Sequence, residues 1–204
     1  MIGLQQPLSG TVETTLTRAE IGLLFQDDAL LPWKTARENV VLGLTLNGME
    51  RGKALVEADT WLDRLGLAGF GDRFPRHLSG GQRKRVALAQ VLARQPELIL
   101  MDEPFASLDA IVRARVVKDV VSLVERGGIS ALLVTHDLEE ALSLSDDVYL
   151  LSQGPRARIT QHYQVPIPRP RDPVLSRTHP AFAPLYERLW ADLSRAVDHR
   201  AEAA

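Results

Sequence analysis

The chain has 204 residues, of which 45% are hydrophobic, enough to bury the core of one ordinary domain with a subdomain. Its 24 Lys and Arg against 26 Asp and Glu leave a net charge of −2, which argues against a protein that coats nucleic acid, and the lack of cysteine excludes a disulfide scaffold, a thiolate zinc site and a cysteine nucleophile. No apolar run approaches the roughly 20 residues that span a bilayer, and Met1-Ile2-Gly3-Leu4-Gln5-Gln6-Pro7 lacks the zones of a signal peptide, so the chain is expected to be soluble and cytoplasmic, reaching a membrane only through a partner.

In chain order, residues 11–16 and Ile21-Gly22-Leu23-Leu24-Phe25 are predicted as short β segments, the second a buried strand that stops at polar Gln26-Asp27-Asp28. From 35 to 93 the pattern turns helical, with Leu55, Trp61, Leu62 and Leu65 fitting period 3.6 and breaks at Gly43, Gly48, Gly66 and Gly69. Strand and helix then alternate: Leu98-Ile99-Leu100-Met101, a helix over 110–125, Ala131-Leu132-Leu133-Val134, a short helix over 138–144, and Val148-Tyr149-Leu150-Leu151. Three apolar runs separated by helices imply an α/β fold with a parallel sheet. Residues 164–184, rich in Pro and Arg, read as a surface connector, and Arg156, Arg158, Arg169 and Arg171 read as solvated charge, with contact to anionic lipid heads as the alternative. Phe182, Leu185, Leu189 and Leu193 then mark an amphipathic helix over 182–197, expected to pack on the sheet domain. There is no internal repeat. The expected organisation is an N-terminal β region over 1–34, a helical subdomain over 35–95, a core over 96–154 and an extension over 155–204.

Two segments carry chemistry. Leu98-Ile99-Leu100-Met101-Asp102-Glu103 sets two carboxylates at the end of a buried strand, on the sheet edge where α/β proteins bind ligands. On an extended backbone they point to opposite sides, so Asp102 can hold Mg²⁺ through its hydration shell while Glu103 polarises a water. The structural alternative is a helix cap after a strand. In Leu78-Ser79-Gly80-Gly81-Gln82, Ser79 suits a helix start, whereas two glycines in a first turn forfeit roughly 1 kcal/mol each against Ala. Close approach of a phosphate to bare N–H groups would compensate; the alternative is an ordinary glycine-rich loop. The following Arg83-Lys84-Arg85 reads as a solvated helix face.

With these residues the chain resembles the ATP-binding subunit of an ABC transporter. Gln26 looks like the Q-loop glutamine, Leu78 to Gln82 the signature sequence, Leu98 to Glu103 the Walker B strand with its catalytic glutamate, Ser107-Leu108-Asp109 the D-loop, and His136 the switch histidine. The resemblance implies a P-loop NTPase-like fold, ATP and Mg²⁺ as ligands, and a catalytic set of Glu103, His136 and Gln26. It implies nucleotide contacts from Ser79, Gly80, Gly81, Gln82 and Asp109, and metal contacts from Asp102 and Gln26. The partners it implies are a transmembrane permease subunit, a second ATPase subunit facing head to tail and, indirectly, a periplasmic or extracellular solute-binding protein; nucleic acid is not among them.

The family also needs a phosphate loop, Gly-x-x-x-x-Gly-Lys-Ser/Thr, and this sequence has none. Its one Gly-Lys pair, Gly52-Lys53, is followed by Ala54 and preceded by Asn47 where the motif needs Gly, so it reads as a decoy. Met1-Ile2-Gly3-Leu4 resembles the tail of the helix that follows the loop in relatives, which places the loop roughly 6–10 residues upstream of Met1. The expectation is a start assigned at an internal methionine, rather than a decayed subunit, because Asp102, Glu103, His136 and the glycine pair remain. The 204 residues alone are then expected to be inactive.

Asp27-Asp28-Ala29-Leu30-Leu31-Pro32-Trp33, Ser152-Gln153-Gly154-Pro155-Arg156 and Pro168-Arg169-Pro170-Arg171-Asp172-Pro173 resemble the importer branch that takes up nitrate, alkanesulfonates or taurine. There the segment after the Q-loop docks a short permease helix, which assigns Leu30, Leu31 and Trp33 to an apolar notch; Trp33 as plain core is the alternative. Two other functions fit less well. One is a noncatalytic partner lending its signature sequence to another subunit. The other is a non-transport ATPase acting on DNA or ribosomes; such proteins usually carry a long coiled-coil insertion or a second nucleotide domain, neither of which appears in this sequence, and the near-neutral charge also counts against it.

Overall fold

Four apolar residues in Leu98-Ile99-Leu100-Met101 can be buried from both sides only if neighbouring strands and helices cover them, and the fold is arranged around that need. The computed structural model describes residues 9–106, 108–154 and 157–201, with side chains to 195. The chain divides into two compact units, one built on Val12–Val134 and one running from Thr135 through the last helix.

In the first unit, β2 (Leu98–Asp102) is the middle strand of a parallel sheet of order β1-β2-β3, flanked by β1 (Ile21–Leu24) and β3 (Ser130–Val134). The register aligns Leu24 with Met101 and Asp102 with Val134, so all three strands end at one edge. Helix α3 (Gly80–Leu92) crosses closely enough that a Cβ on Gly22 would lie 2.5 Å from Val91 Cγ1, which is why β1 carries a glycine among its aliphatics. Helices α1 (Ala36–Leu46) and α2 (Arg51–Arg64) pack with α3. Thr35 and Glu38 form a capping box at the start of α1. The Glu50 carboxylate caps α2 by accepting from the Gly52 and Lys53 N–H at 2.8 and 3.2 Å, and these bonds hold Glu50 below its ordinary pKa. The Gly-Lys pair is thus the first turn of a helix whose free N–H groups already have an anion. Helix α4 (Ala110–Gly127) leads into β3.

In the second unit, α5 (Leu138–Leu144) is followed by β4 (Asp147–Leu151), which pairs antiparallel with β5 (Ile159–Gln164). The expectation of a third parallel strand at 148–151 is corrected here: a short apolar run has no direction of its own, and the nearby chain returns as β5 to satisfy its backbone. Helix α6 (Phe182–Ala201) places Phe182 and Leu189 in a core with Leu142, Tyr163, Val165 and Ile167. It therefore packs on α5 and on β5 with its continuation. Burial, with a hydrogen bond from its hydroxyl to Asp192, pushes the Tyr163 phenol up to about 12.

The connector differs from expectation as well. Arg171 is 6% exposed, donating to the Ile167, Val165 and Ser145 carbonyls and pairing with Asp146 at 3.1 Å, and Arg169 pairs with the same carboxylate at 2.9 Å. A guanidinium with that many acceptors is a staple for irregular backbone, not solvated charge. Arg156 and residues 1–4 lie outside the described residues. The strand expected over 11–16 is absent from the described structure: Leu16 N–H turns back to Thr14 Oγ1 at 3.1 Å, a local closure that replaces a ladder.

Among the described residues β3 pairs only with β2, and Leu132 and Val134 are 44% and 50% exposed. The strand carries neither charge nor proline, the devices that ordinarily protect an edge. Leu132→Lys is therefore expected to reduce concentration-dependent self-association in light scattering while changing stability by no more than about 0.5 kcal/mol. Unchanged scattering would exclude this edge as the cause.

Candidate functional site

The sheet edge where the three strands end gathers the first group of residues. Asp102 is the last residue of β2 and is exposed. Glu103 leaves the strand with φ +42°, its N–H donating to Val134 O at 2.8 Å. Few non-glycine residues adopt this left-handed conformation, at a cost on the order of 1 kcal/mol. The expectation that strand alternation alone separates the two carboxylates is corrected: the backbone turns between them, with Glu103 in the left-handed region and its N–H held by Val134 O. Gln26, two residues beyond β1, brings its Nε2 to 3.5 Å from Glu103 Oε2. Gln26 and Glu103, far apart in sequence, are thus brought together.

Asp102 and Gln26 offer hard oxygen donors. Among the described residues no group of three or more His, Asp or Glu forms a complete metal cage. That donor set suits Mg²⁺, which keeps several waters and shares its ligands with phosphate oxygens.

The second group is the start of α3. Ser79 Oγ accepts from the Gln82 N–H at 3.3 Å, and Gln82 Oε1 accepts from the Ser79 N–H at 2.9 Å, so the helix-start alternative is realised as a capping box. The two glycines have different reasons to be there. A Cβ on Gly81 would lie 2.2 Å from Val112 Cγ1, so Gly81 lets α3 and α4 touch. A Cβ on Gly80 would meet nothing nearer than an Arg83 guanidinium nitrogen at 3.8 Å, so no packing demands that glycine. Asp109 caps α4 by accepting from the Val112 N–H at 3.0 Å, on the turn that carries the residue facing Gly81. Ser107 lies outside the described residues.

His136 belongs to the second unit and is exposed in the bend before α5. Its neighbours are tightly bonded: Thr135 Oγ1 donates to Glu140 at 2.9 Å and accepts from the Asp137 N–H at 3.0 Å, while Asp137 caps α5.

Trp33 is 70% exposed, which corrects the reading of it as core. Buried Asn39 holds its loop, accepting from the Leu31 N–H at 2.8 Å and donating to the Leu31, Lys34 and Thr35 carbonyls. Leu30 and Leu31 are half-buried beside it.

The reading of Arg83-Lys84-Arg85 as a solvated face is also corrected. Lys84 is fully buried and pairs with Asp28 at 3.1 Å, Arg83 binds the other oxygen of Asp28 at 3.2 Å, and Arg85 reaches Asp119 at 3.5 Å. The signal was available: Gly81, Lys84, Leu88 and Val91 recur at spacings of three and four and form one buried stripe.

A family model described as ABC transporter matches residues 1–106. The nitrate import ATP-binding protein NrtC of Synechococcus elongatus is 39% identical over 176 residues, which are 83% of this chain and 27% of that protein. The aliphatic sulfonates import ATP-binding protein SsuB 1 of Burkholderia lata is 41% identical over 193 residues, 92% of this chain and 56% of that protein. The chain therefore spans well under two thirds of either relative. Among solved structures, a dimeric post-hydrolysis state of the ATP-binding cassette MJ0796 bound to ADP and Pi is 31% identical with a TM-score of 0.63, covering 72% of this chain and 63% of that one.

The glycine pair separates by stability. Gly81→Ala forces a methyl into Val112 and is expected to destabilise the chain by about 1–3 kcal/mol. Gly80→Ala, in open space, is expected to be neutral or stabilising by up to about 1 kcal/mol through helix propensity. Denaturant unfolding of the two variants checks this, and equal destabilisation would refute the distinction.

Proposed function

The chain belongs to the ABC transporter family, and we propose that it forms part of the ATP-hydrolysing subunit of an importer for small anionic or organic solutes of the nitrate, sulfonate and taurine kind. The observation that carries this reading is the approach of Gln26 to Glu103 at 3.5 Å, beside Asp102 and at the end of a buried parallel strand. The import functions in the names of NrtC and SsuB 1 support it. Nothing in those relatives favours a noncatalytic partner.

In this reading Glu103 is the general base. Its carboxylate takes a proton from the attacking water, and the Gln26 amide, within reach of that carboxylate, orients the water. Asp102 and Gln26 would hold Mg²⁺, which would neutralise charge on the phosphate oxygens. Ser79, Gly80, Gly81 and Gln82 contact the γ-phosphate of a nucleotide held by a second subunit, through the backbone N–H groups of the glycines rather than that of Gln82, which bonds Ser79 Oγ, with the helix dipole adding to the attraction. The open space at Gly80 suits that approach. His136 donates to the γ-phosphate, and Asp109 contacts the nucleotide of the facing subunit.

The sequence contains no Gly-x-x-x-x-Gly-Lys-Ser/Thr, so the grip on the triphosphate comes from residues outside these 204. Among the described residues no helix is long and apolar enough to cross a membrane, and in this reading the chain couples to a transmembrane permease subunit. The exposed Trp33, with Leu30 and Leu31, is the surface proposed to receive it at the inner face of the membrane, and a solute-binding protein delivers to that permease from the far side.

Two measurements test the reading. The 204-residue chain is expected to show no ATP turnover, and a longer chain that supplies the loop is expected to hydrolyse ATP, falling about 10²- to 10⁴-fold in Glu103→Gln; Glu103-dependent turnover by the 204 residues alone would overturn it. In the complex with permease, Trp33→Ala is expected to lower transport about tenfold or more while basal hydrolysis stays within about twofold. Parallel loss of both would assign Trp33 to the ATPase itself.

A further inference from the structure

Lys84 is completely buried in the first unit, yet it is not a stranded charge. An ammonium has three N–H donors, and each finds an acceptor: Phe25 O at 3.2 Å, Gln26 O at 2.9 Å and Asp28 Oδ1 at 3.1 Å. Asp28 Oδ2 is taken by Arg83 Nε at 3.2 Å, and Arg83 also donates to Leu78 O at 2.9 Å. All of these acceptors but Leu78 lie in 25–28, a segment without helix or strand in which Phe25, Gln26 and Asp27 are exposed to solvent. Nothing about packing calls for a charge here, since the rest of the buried stripe of α3 is small or apolar. Sealing a lysine away from water is costly unless every donor is satisfied, and the acceptors that satisfy it belong to the stretch that presents Gln26 to Glu103.

We propose that Lys84 is a positioning residue: it ties the backbone of Gln26 to the helix that begins at Ser79, and so sets the distance between the Gln26 amide and the Glu103 carboxylate. The inference rests on the reading of Gln26 and Glu103 given above and adds a mechanical link to it. The helix end that faces a phosphate and the glutamine that faces the attacking water move as one body. An anion engaging Ser79–Gln82 is then felt at Gln26 without any contact between them.

The test has two parts. In the 204-residue chain, Lys84→Met keeps the length and removes the donors; amide hydrogen exchange over 25–28 is expected to rise about tenfold while the core strand β2 keeps its protection. A rise spread evenly over the first unit, or none, would overturn the proposal. In the longer chain competent for ATP turnover, Lys84→Met is expected to lower kcat by about tenfold to a hundredfold with KM for ATP unchanged. Combined with Gln26→Ala it should lower kcat no further than Gln26→Ala alone, because both act through one side chain. Additive losses would show that Lys84 serves something other than Gln26. If Lys84→Met does not fold, Asp28→Asn carries both measurements, since it opens the same clamp from its accessible side and must give the same local exchange and the same non-additivity. If Gln26→Ala and Glu103→Gln leave turnover untouched, the functional reading itself fails, whatever Lys84 does.

Discussion

The fold of the first unit depends on the burial of β2. A parallel strand enclosed by two neighbours and by helices can carry no charge along its length, so the earliest place its sequence admits an acid is the residue at which the neighbours end. Asp102 occupies that place, and the register with Leu24 and Val134 sets it level with the exits of β1 and β3. The desolvation constraint that excludes charge from the sheet thus concentrates polar groups at one edge, and Glu103 is released from the strand only by adopting a backbone conformation that most residues avoid.

Helix α3 is the second determinant, and it acts through its side rather than its tip. Its buried stripe seats it against β1, where Gly22 gives it room, and against α4, where Gly81 does. On the same stripe Lys84 reaches across to the chain leaving β1. The helix therefore fixes three neighbours in position, and a loop of exposed residues acquires a defined path because one buried ammonium consumes its carbonyls.

What could be read from the sequence followed from how many environments a residue type tolerates. Leu98 to Met101 has only one comfortable place, a strand buried on both faces, and it is found there. The start of α3 at Ser79 was likewise legible, because serine at a helix boundary answers to a local rule, whereas Gln26 and Asp109 were picked out only by resemblance to the family's motifs and the capping of α4 by Asp109 was not foreseen. Lys84 was missed, since lysine is overwhelmingly a surface residue and its acceptors lie nearly sixty residues away; only its spacing with Gly81, Leu88 and Val91 marked it as part of a buried stripe. Arg171 escaped for the same reason. The direction of β4 was illegible because apolar character specifies a strand but not its partner, and β5, with His162 and Gln161 in its midst, has too little alternation to announce itself. The exposure of Trp33 ran against the habit of large aromatics and is enforced from below by Asn39.

The opening turns of α3 interleave two kinds of demand. Ser79 and Gln82 serve the helix, bonding each other's backbone; Gly81 serves the packing of α4; Arg83 and Lys84 serve the chain leaving β1. Gly80 alone serves none of these: it gives up helix propensity without easing a contact among the described residues. A ligand that uses the bare backbone at Gly80 therefore pushes on a helix with no slack, because its next four residues are committed to three different parts of the unit. The neighbours of that end are α4 and the segment holding Gln26, and the ion-paired link is the costlier of the two to break, since breaking it leaves a buried charge without its counter-ion.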